Sequence, residues 1–394
     1  MKRRIWAVLL SIIMVLSLMP VTAMAEGQSS YVVLGDSISA GYGLTADEKS
    51  FSEQLEETFF LERIPLAASG DTSDDLYRVV SDPENEDSLK NADIITVTIG
   101  GNDMLDALYD FLAEEYNDTY SPDPAWTSED IINKITEEEV DMTFFAWALL
   151  FAIPKFSTSE LVQERAQTVG ANLDRALAEI KRLNPNATVI VANQYNPYLY
   201  ATAHADSTYQ GAAETIRDAF EGGIVLLNQE LSKAATNNGC TIADVHTAFQ
   251  KAEDDPCFAS FAGELNLDFH PNAYGHTLIA ETLEGDIEPV VKYALTVTGG
   301  TGSGGYKNGE KAAITANEVS DTQHFAYWEE STGIYNGKFD DPSNPSTSFT
   351  MPACPITVNA VYHTWLTEWT SDENSHWHPC SECSEKKDEE AHSY

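Results

Sequence analysis

Residues 30–292 of this 394-residue chain predict an α/β fold, a parallel central sheet covered by helices on both faces as a three-layer sandwich, with a small all-β domain behind it. Two observations carry that expectation. Short runs rich in Val, Ile and Thr alternate with longer segments of helical periodicity. Near Ala294 the texture changes to Leu295-Thr296-Val297-Thr298, then glycines from Gly299 to Gly305, with further strands expected near 312–316 and 356–362.

In chain order, buried strands are expected at 31–34, 94–99, 188–192 and 241–245. Leu161, Ala166, Val169, Leu173, Leu177 and Ile180 recur at helical spacing over 159–183, and Asn184-Pro185-Asn186 stops that helix. Pro271 and Asn272 introduce a closing helix over 273–283. Residues 104–156 are too many for a simple connection. They open with an amphipathic stretch at 105–112, pass through a polar, Pro-containing run at 116–126, and end almost wholly apolar at 142–153. The insertion reads either as a lid or acyl-pocket wall, or as a buried helix of the core or a satellite core of its own, built on Phe144, Phe145, Trp147, Leu149, Leu150 and Phe151.

Lys2-Arg3-Arg4, an apolar run over 5–19 and Ala23-Met24-Ala25 have the three regions of a secretory signal peptide cleaved after Ala25. The apolar run is shorter than the roughly 20 residues that span a bilayer, and no second long one follows. The mature chain is therefore expected to be secreted or held at a cell surface, without a transmembrane segment. Removing Lys2, Arg3 and Arg4 from the 22 basic residues leaves 19 against 63 acidic ones, a balance that repels nucleic acid and anionic membranes. Five cysteines exclude a disulfide scaffold, although Cys240 and Cys257 are near enough in sequence for a bridge to stay open.

Four blocks carry the chemistry. Gly35-Asp36-Ser37-Ile38-Ser39 puts a serine at a strand-to-helix turn, at the carboxyl end of the sheet where open α/β folds bind ligands. Gly70 follows Ala68-Ser69, Gly100-Gly101-Asn102-Asp103 ends a second apolar run, and Asp268-Phe269-His270-Pro271 comes late. Ester hydrolysis needs a nucleophile, a base and oxyanion donors. Ser37 offers the hydroxyl, His270 an imidazole that titrates near neutrality, Gly70 an unobstructed N–H and Asn102 a side-chain amide. His204, His246 and His276 are weaker candidates for the base. Asp36 and Asp103 are expected to brace the two loops, while Tyr195 and Tyr198 line the cleft or pack beside it.

These blocks, in this order, resemble the SGNH or GDSL-type family of esterases and lipases. The resemblance implies a flavodoxin-like fold, a Ser37–His270 mechanism, an oxyanion hole of Ser37, Gly70 and Asn102, and no metal or organic cofactor. In that family the acid usually stands three residues before the histidine; here that position is Leu267, and Asp268 stands two before. Asp268 is assigned to the triad, with a backbone carbonyl as the alternative partner of His270. The expected substrate is a small-molecule, lipid or carbohydrate ester. A carbohydrate O-acetyl esterase and an inactive, esterase-like surface binder are the rival readings.

Residues 293–362 resemble bacterial surface repeats of the internalin B type, through the glycine turn at 298–304, Trp328 and Phe349-Thr350-Met351-Pro352. The resemblance implies a stalk or a cell-surface or matrix contact by 293–394. The tail, 363–394, holds Trp365, Trp369, His376, Trp377, His378, Cys380, Cys383 and His392. A zinc site needs four ligands, yet only one CxxC pair is present and the tail histidines are irregularly spaced. A local disulfide, free thiols or an aromatic-rich tag is preferred, and no metal is assigned.

Overall fold

The computed structural model of the chain describes residues 27–136, 144, 147–263, 265–331 and 338–393. The signal-peptide reading of 1–25 lies outside the described residues, as does Phe145. Chain contacts divide the protein into two compact units, one spanning Ser29–Val291 and the other containing Lys292–Tyr394.

In the first unit β1 (Ser30–Gly35), β2 (Glu62–Pro65), β3 (Ile94–Thr98), β4 (Thr188–Ala192) and β5 (Thr241–Ala243) form one sheet in the order β2-β1-β3-β4-β5. All its pairings are parallel. This is the flavodoxin-like order, in which the connections reverse direction between β1 and β3. Alternate residues face opposite sides. Val32, Leu34, Ile95, Val97, Val189 and Val191 share one core with the helices Ser73–Ser81, Glu160–Leu183 and Gln210–Asn237. Phe51–Phe59 and Ala273–Ile287 pack together as a second helical pair, the latter touching β4 and β5. Each fully buried Val, Leu or Ile contributes about 1.5–3 kcal/mol, so a slip of one residue in any central strand would turn its core side chains to the wrong face.

Two departures from expectation have local causes. β2 was not expected, because Glu62-Arg63-Ile64-Pro65 is polar and holds a proline; it pairs only with β1, at the sheet edge, where a missing N–H is tolerated. β5 stops at Ala243 instead of 245, because the Asp244 side chain accepts from Thr247 N (3.2 Å) and caps a helix, Val245–Gln250. The long helix runs Glu160–Leu183, and Asn184 ends it by accepting from the N–H groups of residues 186 and 187 (3.2 and 3.1 Å). The closing helix continues to Ile287.

The insertion begins as one helix, Gly101–Tyr120, followed by Ser128–Thr136, a π-helical turn at Ala148–Ala152 and the short helix Ile153–Ser157. Leu108, Phe111, Leu112, Ile131, Phe144 and Trp147 form a hydrophobic cluster separate from the sheet core. Phe151 instead points to solvent. These side chains pack as a cluster of their own, and part of the same segment lines a cleft.

The second unit is all β. Strands Gln323–Glu330, Ile356–Thr364, Tyr293–Thr298 and Gly304–Tyr306 make one sheet, and Lys338–Phe339, Ser346–Thr350, Lys311–Ala316 and Gly300–Thr301 another. Its pairings are antiparallel except that of Ile356–Thr364 with Tyr293–Thr298. The motif residues are its core: Trp328, Phe349 and Met351 are buried, and Trp328 Nε1 donates to Asn344 O (3.1 Å). In the tail, Thr370–Ser371, Ser375–Pro379 and Lys386–Ala391 form a third sheet. All five cysteines are free, so Cys240 and Cys257 are not bridged.

Candidate active site

β1 and β3 lie side by side, and the loops leaving their carboxyl ends meet at the reversal of strand order. Gly35 makes the first turn possible: its φ is +125°, and a Cβ there would stand 2.0 Å from Thr98 O. Asp36 then caps the short helix Ser37–Ala40, its Oδ1 accepting from Ile38 N (3.1 Å) and Thr98 Oγ1 (2.8 Å). Burial pushes the Asp36 carboxyl up, against the pull of these hydrogen bonds. Ser37 is thereby set rigidly at the first helical position.

The other loops are tied to the same place. Ala68 N donates to Gly35 O (3.1 Å), and Asn102 Nδ2 donates to Asp71 O (2.9 Å), so the Gly70 loop is fastened on both sides. Gly70 has a φ of +92°, a conformation that favours glycine, and nothing lies within 4 Å of where a Cβ would be. Asn102 sits in the first turn of Gly101–Tyr120, where the helix dipole favours negative charge. Asp103 is buried and accepts from Ser73 N (2.8 Å) and Ser73 Oγ (2.7 Å), bracing the helix that follows the Gly70 loop.

The late block closes the arrangement. His270 Nε2 lies 3.0 Å from Ser37 Oγ, and His270 Nδ1 lies 2.7 Å from Asp268 Oδ1. The spacing of two suffices because the chain turns: Asp268 Oδ1 also accepts His270 N, at 3.0 Å. Burial works to raise the Asp268 carboxyl, but its hydrogen bonds to the His270 ring and N–H outweigh this and hold it below the ordinary carboxylate range. With the carboxylate accepting from Nδ1–H, Nε2 is left with a lone pair towards the serine. Three further bonds hold the loop, and these supports were not anticipated from sequence: Phe258 N to His270 O (3.0 Å), Tyr195 OH to Phe269 O (3.1 Å) and Tyr198 OH to Leu267 O (2.9 Å). Both tyrosines are buried; their only sequence signal was their place after β4.

The remaining histidines stand elsewhere. His246 Nε2 meets Glu221 Oε1 (3.0 Å), and His204 stacks on Tyr200. His276 is fully buried in the core, its Nδ1 accepting from Phe51 N (3.2 Å), and burial lowers its pKa to about 4.

Ser37 and Asn102 open onto a cleft of about 840 Å³, mouth included. Its walls are apolar, with Met104, Leu105, Leu108, Ile153, Phe156 and Phe220 among them. Five of these six come from the insertion, so that segment is at once a satellite core and a cleft wall.

The profile of the GDSL-like lipase/acylhydrolase family matches residues 33–278, and that of the divergent InlB B-repeat domain matches 293–364. The uncharacterized protein YpmR of Bacillus subtilis (strain 168) is 22% identical over 300 residues, 71% of this chain and 94% of its own length. A phospholipase A1 from Streptomyces albidoflavus NA297 is similar at 19% identity, covering 66% of this chain and 100% of its own, with a TM-score of 0.44. An extracellular lipase from Streptomyces rimosus is similar at 21% identity, covering 66% of this chain and 99% of its own, with a TM-score of 0.43. With four matching sequence blocks gathered on one parallel sheet and a family profile spanning most of the chain, the protein belongs to the GDSL-like lipase/acylhydrolase family and carries a divergent InlB B-repeat domain after its hydrolase fold.

Proposed function

We propose that the protein hydrolyses carboxylic esters whose acyl group is an alkyl chain longer than acetyl. The observation that carries this reading is the line Ser37–His270–Asp268 opening onto an apolar cleft. In the proposed reaction Ser37 Oγ bonds to the ester carbonyl carbon as its proton passes to His270 Nε2. Collapse of the tetrahedral adduct expels the alcohol, which takes that proton. Water then repeats the sequence on the acyl-serine and releases the acid. The negative charge on the carbonyl oxygen is received by the N–H groups of Ser37 and Gly70 and by Asn102 Nδ2, which has one hydrogen beyond that given to Asp71. Asp268 orients the imidazole and stabilises its charged form. None of these steps calls for a metal or organic cofactor.

The cleft supports a lipid-like ester over a carbohydrate acetate, since its walls offer an alkyl chain apolar surface and offer a sugar few donors. The signal-like amino terminus and the B-repeat domain support export, with 293–394 making contact at a cell surface or matrix. No described helix is long and apolar enough to cross a membrane.

A series of p-nitrophenyl esters from acetate to palmitate tests the reading. Turnover is expected to peak beyond acetate and to vanish in Ser37→Ala while the far-ultraviolet circular dichroism is unchanged. Full turnover by Ser37→Ala would remove the nucleophile assignment, and a maximum at acetate would return the acetyl esterase. A folded protein inert on every ester would favour the surface binder.

A further inference from the structure

Among the described residues one group has the composition of a transition-metal centre, and it lies in the B-repeat and tail, outside the hydrolase unit. His324 on Gln323–Glu330 and His363 on Ile356–Thr364 are direct cross-strand partners, with ring centroids 5.6 Å apart and planes at 89°. The hairpin joining Ser375–Pro379 to Lys386–Ala391 carries Cys380 and Cys383 at its turn. Ser381 fastens that turn to the end of the histidine strand, its N and Oγ each donating to Thr364 O at 3.0 Å. One ligand atom from each of the four side chains then falls within 4.8 Å of every other.

Three details distinguish this cluster from a chance meeting of polar groups. His324 Nδ1 donates to Phe325 O (3.1 Å), which leaves the Nε2 lone pair facing Cys383 Sγ at 3.6 Å, and Trp365 stacks on the ring to hold it. A metal-binding imidazole characteristically has its other nitrogen bonded to a carbonyl in this way. His363 is only 8% exposed, and its Nδ1 has no hydrogen-bond partner, an arrangement that costs free energy unless something else interacts with the ring. Cys380 Sγ accepts Glu382 N (3.3 Å), a bond that favours the thiolate.

We propose that His324, His363, Cys380 and Cys383 bind one zinc-class divalent ion in tetrahedral S₂N₂ geometry. Bond lengths of about 2.3 Å to sulfur and about 2.0 Å to nitrogen require ligand atoms roughly 3.3–3.8 Å apart, which side-chain rotation reaches from the present spacing. Each thiol releases its proton on binding, so two thiolates neutralise the ion. Four protein ligands leave no open position, which makes the site structural. It would clamp the cysteine hairpin to the end of the repeat sheet. The tail histidines that the sequence offered are engaged elsewhere: Trp369 packs against His378 at 4.0 Å, and His376 stacks with His392 at 5.5 Å. The sequence search missed His324 because it stands 59 residues before Cys383, in another module.

The test uses the full chain, refolded or expressed under reducing conditions with zinc and then dialysed. Elemental analysis is expected to find about one zinc per chain in the wild type and in His376→Ala, and less than about a tenth of that in Cys383→Ser, Cys380→Ser and His324→Ala. Cobalt substitution provides a readout that does not depend on stability, because intense tetrahedral d–d bands with thiolate charge transfer are expected and should disappear in Cys383→Ser, whose exposed position spares the fold. Ester turnover should not change in any of these variants. A chain that takes up no metal, a His324→Ala protein that keeps its zinc with undiminished affinity, or a Cys380–Cys383 disulfide in the protein secreted by its host would overturn the proposal.

Discussion

Replacing Asp268 with alanine isolates the contribution of the carboxylate to the proposed catalysis. The substitution removes the acceptor 2.7 Å from His270 Nδ1 and, with it, the 3.0 Å bond to His270 N. The loop has other anchors, from Phe258 to His270 O, Tyr195 to Phe269 O and Tyr198 to Leu267 O, so the backbone is expected to stay in place although the His270 ring and its N–H both lose their acceptor. A hydrogen bond to a charged group is worth about 1.5–3 kcal/mol, or about 10- to 150-fold in rate. The Asp268 side chain is 36% exposed, so water takes part of its place, and the lower part of that range, about 10- to 50-fold in kcat/KM, is expected. Asp268 does not line the cleft, which assigns the loss to kcat and leaves KM within about two-fold. Steady-state hydrolysis of p-nitrophenyl butyrate reads both parameters. In a His270→Ala background the same substitution should cost less than about three-fold, because the residues act as a unit. A loss below three-fold in the single variant, or an equal loss in both backgrounds, would refute the reasoning and return the role to a backbone carbonyl.

Two further outcomes follow from the hydrolase unit. His276 is neutral in the fold, with burial lowering its pKa from 6.5 to about 4, so its contribution to stability is complete above pH 6.5 and is lost as the pH falls towards 4. The wild type should therefore lose about 2–3 kcal/mol between pH 7 and pH 4.5 relative to His276→Leu, read from urea midpoints at the two values, and parallel pH profiles would contradict it. Gly223 lines the cleft, and a Cβ there would meet only Met104 and Val162, at 3.6 and 4.0 Å. Gly223→Leu should fold and fill the cleft, cutting turnover of decanoate about ten-fold or more while sparing acetate; equal losses on both would place the acyl chain elsewhere.

Much of the fold was legible because its signals are local. Ile94 to Val97 and Thr188 to Ala192 are rich in Val, Ile and Thr, as buried strands are, and the Leu161-to-Ile180 pattern has helical spacing. The edge strand Glu62–Pro65 was illegible because its own residues argue against it, and only the exposed flank of β1 makes pairing worthwhile. The insertion's apolar run left its role open in sequence; in the fold Phe144, Trp147 and Phe156 pack in one cluster, and Ile153 and Phe156 also line the cleft. The tail's residues left a local disulfide, free thiols or an aromatic-rich tag open, and its pairing with the end of the repeat is not visible in its composition.

By itself the sequence determined which functional groups exist and that each stands at the end of a strand or the start of a helix, since periodicity, glycine conformation and capping act over a few residues. Tertiary structure alone decided that Ser37 and His270, 233 residues apart, come within 3.0 Å. It also decided that the shifted Asp268 still reaches the imidazole through a turn, and that His324 and His363 stand beside the paired cysteines of the tail. Those meetings depend on strand order and on packing between distant segments, which no local pattern encodes.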